Sequence, residues 1–205
     1  MMKQRAPKRP ADERRRMILE GAQAAFATQG YANTGTEDIA RAAGVAPSAI
    51  YRHFAGKRDL YLETLRAATQ KLLRLWSQAA GSEESPLEEI RALGLGYYDH
   101  VAGRSPYARL WFQALAEADD DEVREAIAAN FRGMVGAIEE RIREGQASGD
   151  VRAELDPRVA AWHFMAIGLA FDLVHHLEMD DELDRRKVEE WGELYLDSLR
   201  GGGHD

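Results

Sequence analysis

Between Pro47 and Lys57 the chain reads PSAIYRHFAGK, a short stretch dense in groups that suit contact with nucleic acid. Tyr51, Arg52, His53 and Lys57 bring a phenol, a guanidinium, an imidazole and an ammonium, donors that reach phosphate oxygens and base edges. Ser48 adds a hydroxyl, and the small Pro47 and Ala49 would lie against a thymine methyl. Thr34, near the start of the preceding helix, offers a hydroxyl to cap that helix or to touch phosphate. This chemistry predicts DNA contact.

Such side chains act together only if an element presents them. Asp38–Phe54 (DIARAAGVAPSAIYRHF) has the pattern of two short helices broken by a glycine turn, the arrangement that lays one helix in the major groove. Ile39, Ala40 and Ala43 recur at helical spacing and give the first helix an apolar inner face. Gly44 can take the positive φ of a sharp helix exit, with Val45 turning back inward. Pro47 suits the first turn of the second helix, where its missing N–H has no partner to lose. Ile50 and Phe54 form that helix's buried side, leaving Pro47, Ser48, Ala49, Tyr51, Arg52 and His53 outward.

A glycine between amphipathic helices is a weak signal alone; its neighbours make it specific. With Arg14–Ala40 before it and Ala55–Leu65 after, about fifty residues in order resemble the N-terminal domain of TetR-family (TetR/AcrR-like) transcriptional regulators. The matching positions include Ile18, Ala22, Ala25, Phe26, Gly30, Tyr31, Thr34, Ile39, Ala40, Ala43, Gly44, Val45, Ile50, Tyr51, Phe54, Lys57 and Leu60. The chain departs from the family pattern at Gly35, Thr36, Ala46 and Ser48. The resemblance implies a homodimer, an operator of double-stranded DNA, and a small-molecule effector enclosed by the later helices that alters the spacing of the two DNA-reading heads.

Composition agrees with that reading. The 205 residues carry a net charge of −8, 45% hydrophobic and 30% charged residues, and no cysteine. Disulfides, thiol catalysis and thiolate metal sites are excluded, and a reducing, cytoplasmic setting is expected. The charged start lacks an apolar h-region, and the most apolar stretch, 159–171, is too short to span a bilayer, so no membrane partner is expected. Residues 1–66 hold 12 Lys and Arg against 7 Asp and Glu, while the remainder holds 15 against 28. A basic third on an acidic body offers one face to phosphate and keeps the other away from it.

The fold class expected is all-α: a three-helix helix-turn-helix domain over 1–56 with a basic arm (Lys3, Arg5, Lys8, Arg9), then an effector-binding and dimerisation domain over 57–205, with about nine helices in all. Helix one is expected over 11–29, closed by Gly30, and helix four over 57–80 with Leu60, Thr64, Ala68, Leu72, Leu75 and Ala79 inward. Helix five covers 87–101. Helix six, capped by Ser105 and Pro106, runs to 118 with Leu110, Trp111, Ala114 and Leu115 as its apolar side. Helix seven begins in an acidic run at Asp119 and continues to 145. Asp156 and Pro157 open helix eight, which runs to 179, and helix nine covers 183–199. Gly81–Pro86 reads as a linker and Gly201–Gly203 as a tail.

Tyr97, Tyr98, His100, Trp111, Phe112, Phe131, Met134, Trp162, His163 and Met165 mix aromatic surface with a few polar tips, the lining a small-molecule cavity wants. Helices eight and nine offer Val159, Trp162, Ala166, Leu169, Ala170, Leu173, Leu177, Trp191, Leu194, Tyr195 and Leu199 for a two-fold dimer face built as a four-helix bundle. His163, His175 and His176 share a helix without chelating spacing, so no metal is expected, and neither is a cofactor or catalytic triad. The function expected is a ligand-responsive repressor, with an activator of the same fold as its alternative. An all-helical ligand carrier or enzyme, with a merely structural hairpin, is the more distant rival.

Overall fold

Apolar residues at helical spacing bury themselves here as helix against helix. The computed structural model describes residues 11–79, 85–100 and 106–200. The described residues form α1 (Ala11–Asn33), α2 (Thr36–Ala42), α3 (Pro47–Ile50), α4 (Lys57–Ala79), α5 (Pro86–His100), α6 (Pro106–Leu115), α7 (Asp121–Ser148), α8 (Pro157–His176) and α9 (Arg185–Leu199). One isolated antiparallel bridge, Val151 to Arg200, ties the chain near its end to the turn after α7. The basic arm, Ser105, Val101, the tail and most of the 81–86 linker lie outside the described residues.

The element boundaries follow local chemistry. Gly30 takes φ 74°, ending the regular part of α1 where expected, and the Thr34 hydroxyl donates to the freed Gly30 carbonyl at 2.6 Å. Asp120 and Asp156 cap α7 and α8 by accepting two backbone N–H bonds each. Two helices end earlier than expected: α6 at Leu115 and α8 at His176. Two residues read as inward are exposed, Leu75 on α4 and Leu115 on α6. Each sits at the edge of its apolar stripe, where spacing alone does not say how far the neighbouring helix extends.

Helix α1 is the axle of the N-terminal part. It packs on α2, α4 and α6, burying Ile18, Ala22 and Phe26 completely. The Phe26 ring meets Tyr61 of α4 edge-on at 4.8 Å, and Tyr31 lies over the same tyrosine. Crossing of α1 and α2 is close because Gly21 has no side chain. A Cβ there would sit 2.7 Å from the Ala43 nitrogen.

Candidate functional site

The turn between α2 and α3 is a Schellman ending. Gly44 adopts φ 64°, the Gly44 N–H donates to the Arg41 carbonyl, and the Val45 N–H reaches back to Ala40 at 3.0 Å. Helix α3 opens on Ala46, which provides no side-chain cap, so Pro47 alone presets its first turn. Its helical turn is continued by the Phe54 N–H, which donates to Ile50 at 2.9 Å. The Arg15 guanidinium lies 5.1 Å from the Phe54 ring centre and pairs with Glu63, which fixes the far end of α3 against α1 and α4.

On this frame Pro47, Ser48 and Arg52 are exposed, and so is Tyr51, at 60%. His53 is half-buried beside Phe54. Two expectations are overturned. Ala49 is only 2% exposed and belongs to the core with Ile50, its side chain small enough to fit the packed side of α3. Thr34 is buried too, and its hydroxyl is spent on the carbonyls at the end of α1 instead of facing a phosphate. Lys57 is partly engaged: its ammonium donates to the Ala32 carbonyl at 3.3 Å and sits 4.4 Å from the Tyr31 ring centre.

One residue noted in the sequence only as a departure from the family pattern joins the surface. The Thr36 hydroxyl lies 3.1 Å from the Tyr51 hydroxyl and tethers that side chain across the turn. Gly35, before it, has no side chain to cap α2, and half of the usual capping pair remains: the Asp38 carboxylate accepts the Gly35 N–H at 3.1 Å.

Behind this head, the body holds a cavity of about 60 Å³ between α4, α5, α6, α7 and α8. Of the expected lining, Tyr97, Trp111, Phe131, Met134 and Met165 do face it, joined by Trp76, Tyr107, Phe164, Gly168, Phe171 and Asp172. The others do not. Tyr98 turns away and donates to the Leu183 carbonyl, Phe112 stacks on His176, and Trp162 and His163 are exposed on the opposite side of α8. The His100 side chain lies outside the described residues. Trp162 and His163 were misplaced because α8 is apolar almost all round, so spacing does not choose its inner side. Asp172 was missed although it is the single carboxylate between Pro157 and His176, a polar break in an apolar helix that could have drawn notice.

Asp172 is 7% exposed. Its Oδ2 accepts the Tyr97 hydroxyl at 2.6 Å, and its Oδ1 has no partner. Burial pushes this carboxyl up to about 6, against the opposing pull of the Tyr97 hydrogen bond and of His175. Burial likewise raises the Tyr97 and Tyr107 hydroxyls.

Val159, Trp162, Ala166, Leu169 and Leu173 of α8, with Leu177 just after it, run as an exposed apolar stripe, Leu169 also reaching the cavity wall, and Leu194 of α9 stands at 65% exposure beside it. Ala170 and Trp191 are half-buried. Tyr195 and Leu199, expected on this face, are core residues instead: the Tyr195 hydroxyl donates to the Ala160 carbonyl at 2.9 Å and locks α9 to α8. Among the described residues no group of three metal-ligating side chains occurs, and no helix is long and apolar enough to cross a membrane.

Head and body share several helix contacts, two of them with named side chains. Helix α6 packs on α1, with Gln113 close to Gly30. At the start of α4, Arg58 forms a double hydrogen bond with Asp120 and a further contact with Glu122, at 2.7 to 2.9 Å, which joins the N-terminal end of α4 to the cap of α7.

The family model described as "Bacterial regulatory proteins, tetR family" matches residues 18–64, and one described as "Tetracyclin repressor-like, C-terminal domain" matches residues 86–190. The HTH-type transcriptional regulator TtgR of Pseudomonas putida is 32% identical over 209 residues, covering 96% of each chain. The HTH-type transcriptional repressor KstR2 of Mycolicibacterium smegmatis is 26% identical, over 73% of each. The crystal structure of the regulator FadR from Bacillus subtilis, solved in complex with stearoyl-CoA, shares the fold at a TM-score of 0.73 and 20% identity, over 92% of this chain and 99% of that one. With matches across both its head and its body, this chain belongs to the TetR family of helix-turn-helix, DNA-binding transcriptional regulators.

Proposed function

We propose that the protein is a homodimeric repressor, acting in the cytoplasm, that leaves a near-palindromic operator when a small molecule enters the cavity between α4 and α8. The observation that carries the DNA-contact surface is the exposed edge of α3, where Pro47, Ser48, Tyr51 and Arg52 project from a turn set by Gly44 in the basic third of the chain. Pro47 and Ser48 meet bases at the start of α3, Arg52 and the tethered Tyr51 reach base edges or phosphate, and Lys57 and His53 flank them on the backbone. Lys57 has three N–H donors and uses one on Ala32, so two stay available for phosphate.

Selection of bound DNA from a random pool tests this directly. It should return two half-sites about 34–36 Å apart, one helical turn or a multiple of it. Transcription from a promoter carrying that site should fall when the protein is added; a rise would make it an activator. Tyr51→Ala combined with Lys57→Ala is expected to weaken operator binding at least roughly tenfold and to lower the salt slope by about one, read by gel shift across a salt series. Unchanged affinity in the double variant would move the DNA surface elsewhere.

The dimer face proposed is the stripe on α8 with Leu194 of α9. An apolar run of this kind on two terminal helices is covered well by its own copy across a two-fold axis. Leu173→Lys, which sets a charge in the middle of the stripe, is expected to yield monomers by analytical ultracentrifugation and to abolish tight operator binding, since both half-sites must be held together. A Leu173→Lys protein that remained dimeric would exclude this face.

Signal transfer follows from the cavity's size. At about 60 Å³ it is small, so a ligand of drug size must part its walls. Helices α6 and α7 form one wall, and they contact α1 and Arg58 of α4. Widening the cavity would therefore tilt α1 and α4 and change the distance between the two α3 edges, a population shift between a DNA-fitting state and a non-fitting one.

A further inference from the structure

Among the described residues the cavity contains one charged side chain, and it is an acid. Trp76, Tyr97, Tyr107, Trp111, Phe131 and Phe164 surround it with ring faces and edges, and among the described residues no Lys, Arg or His lines it. His175, the nearest cationic candidate on the same helix, has its Nδ1 2.8 Å from an oxygen of Asp180. Asp172 Oδ2 is satisfied by Tyr97, while Oδ1 is buried without a partner. A buried acceptor left unpaired is costly, and an ionised one more so. Rings around a carboxylate are also the surroundings that favour a cation, which gains from the ring faces as well as from the charge.

We infer that the cavity takes an amphiphilic amine, its apolar body among the rings and its protonated nitrogen donating to Asp172 Oδ1. The inference rests on the reading of this cavity as the effector site. An anionic head would meet the carboxylate at close range in a poorly screened interior. A plain hydrocarbon would fill the space but leave Oδ1 unpaired. Near neutral pH the carboxyl, although raised by burial, is mostly ionised, so an ammonium finds a charge to pair with.

The test uses the full-length protein at pH 7.5 and three probes of one shape: 4-phenylbutylamine, pentylbenzene and 5-phenylpentanoate, titrated against intrinsic tryptophan emission. The amine is expected to bind roughly ten- to a hundredfold more tightly than the hydrocarbon, the scale of a hydrogen bond to a charged group, and the carboxylate most weakly. In Asp172→Asn the preference of amine over hydrocarbon should collapse to within about threefold. Should that variant fail to fold, the order of the three probes on the natural protein still decides. An amine bound no more tightly than pentylbenzene, a carboxylate bound best, or no binding of any probe would overturn the inference. Gel shift separates it from the regulator reading. Release of operator by 5-phenylpentanoate alone would keep the regulator and lose the amine site, whereas tight amine binding without release would keep the site and lose its role as the effector switch.

Discussion

Asp172→Asn is expected to stabilise the protein above pH 7 by about 2 kcal/mol relative to the natural chain, and to do nothing of the kind at pH 4. In the folded chain the Asp172 carboxyl titrates near 6 because burial disfavours the anion; unfolded, it returns toward 3.8. Between those values the folded state holds a proton that the unfolded state has lost. Stability from this group is therefore greatest below about 4, falls as pH rises through 6, and stays low above it. Two units of difference set a scale of roughly 3 kcal/mol. The new amide N–H, left without an acceptor, offsets part of the gain.

The groups around Asp172 are Tyr97 on α5, Tyr107 on α6 and His175 on α8. Glu63, Asp120, Glu139 and Asp184 are held low by arginine partners or backbone N–H groups and contribute with the opposite sign. Those contributions cancel when variant and natural protein are compared at each pH. Denaturant unfolding from pH 4 to 8, at fixed protein concentration, gives the comparison. A difference between the two proteins that did not change with pH would mean that Asp172 is not a buried, ionising group.

Gly21→Val is expected to cost about 3 kcal/mol and to abolish operator binding. The contact at this position is backbone, since a Cβ on Gly21 would lie 2.7 to 2.9 Å from the nitrogen, Cα and Cβ of Ala43. Helix α1 cannot accept the side chain unless it parts from α2, and overpacking on this scale costs about 1–3 kcal/mol for each added crowding. Ala43 directly precedes Gly44, so parting the helices also moves the turn that aims α3. Thermal unfolding and gel shift together read both effects. Gly136→Ala provides the opposite result: its Cβ would meet nothing within 4 Å, and alanine in mid-helix should add about 0.5–1 kcal/mol. A Gly21→Val protein as stable as the natural one would show that α1 and α2 do not cross this closely.

Much of the head was legible because its signals are local. Gly44 and Pro47 act through their own φ preferences, and Ile39, Ala40, Ile50 and Phe54 mark the buried sides within a turn or two. Ala49 and Thr34 were misread for a different reason. A small side chain suits a groove and a core equally well, and a hydroxyl suits a phosphate as well as a helix-end carbonyl. In the body the errors cluster on α8, where Trp162 and His163 face out and Asp172 faces in. When a helix is apolar almost all round, its rotation is settled by the helices that cover it, here α5 and α7 on one side with Tyr195 of α9 pinning the Ala160 carbonyl.

By itself, then, the sequence determined the all-helical class, the glycine turn, the polar residues that edge α3, the split between a basic third and an acidic body, and the family these imply. Short-range geometry and composition suffice for all of these. Only the tertiary structure decided that Thr34 and Ala49 are structural, that Arg58 joins α4 to the α7 cap, and that a lone carboxylate with one free oxygen stands among rings contributed by five helices. The Arg58 link and the setting of Asp172 depend on which faces meet across 60 residues or more of chain, which no local spacing encodes, while Thr34 and Ala49 turn on a choice between a buried and an exposed side that their residue types leave open.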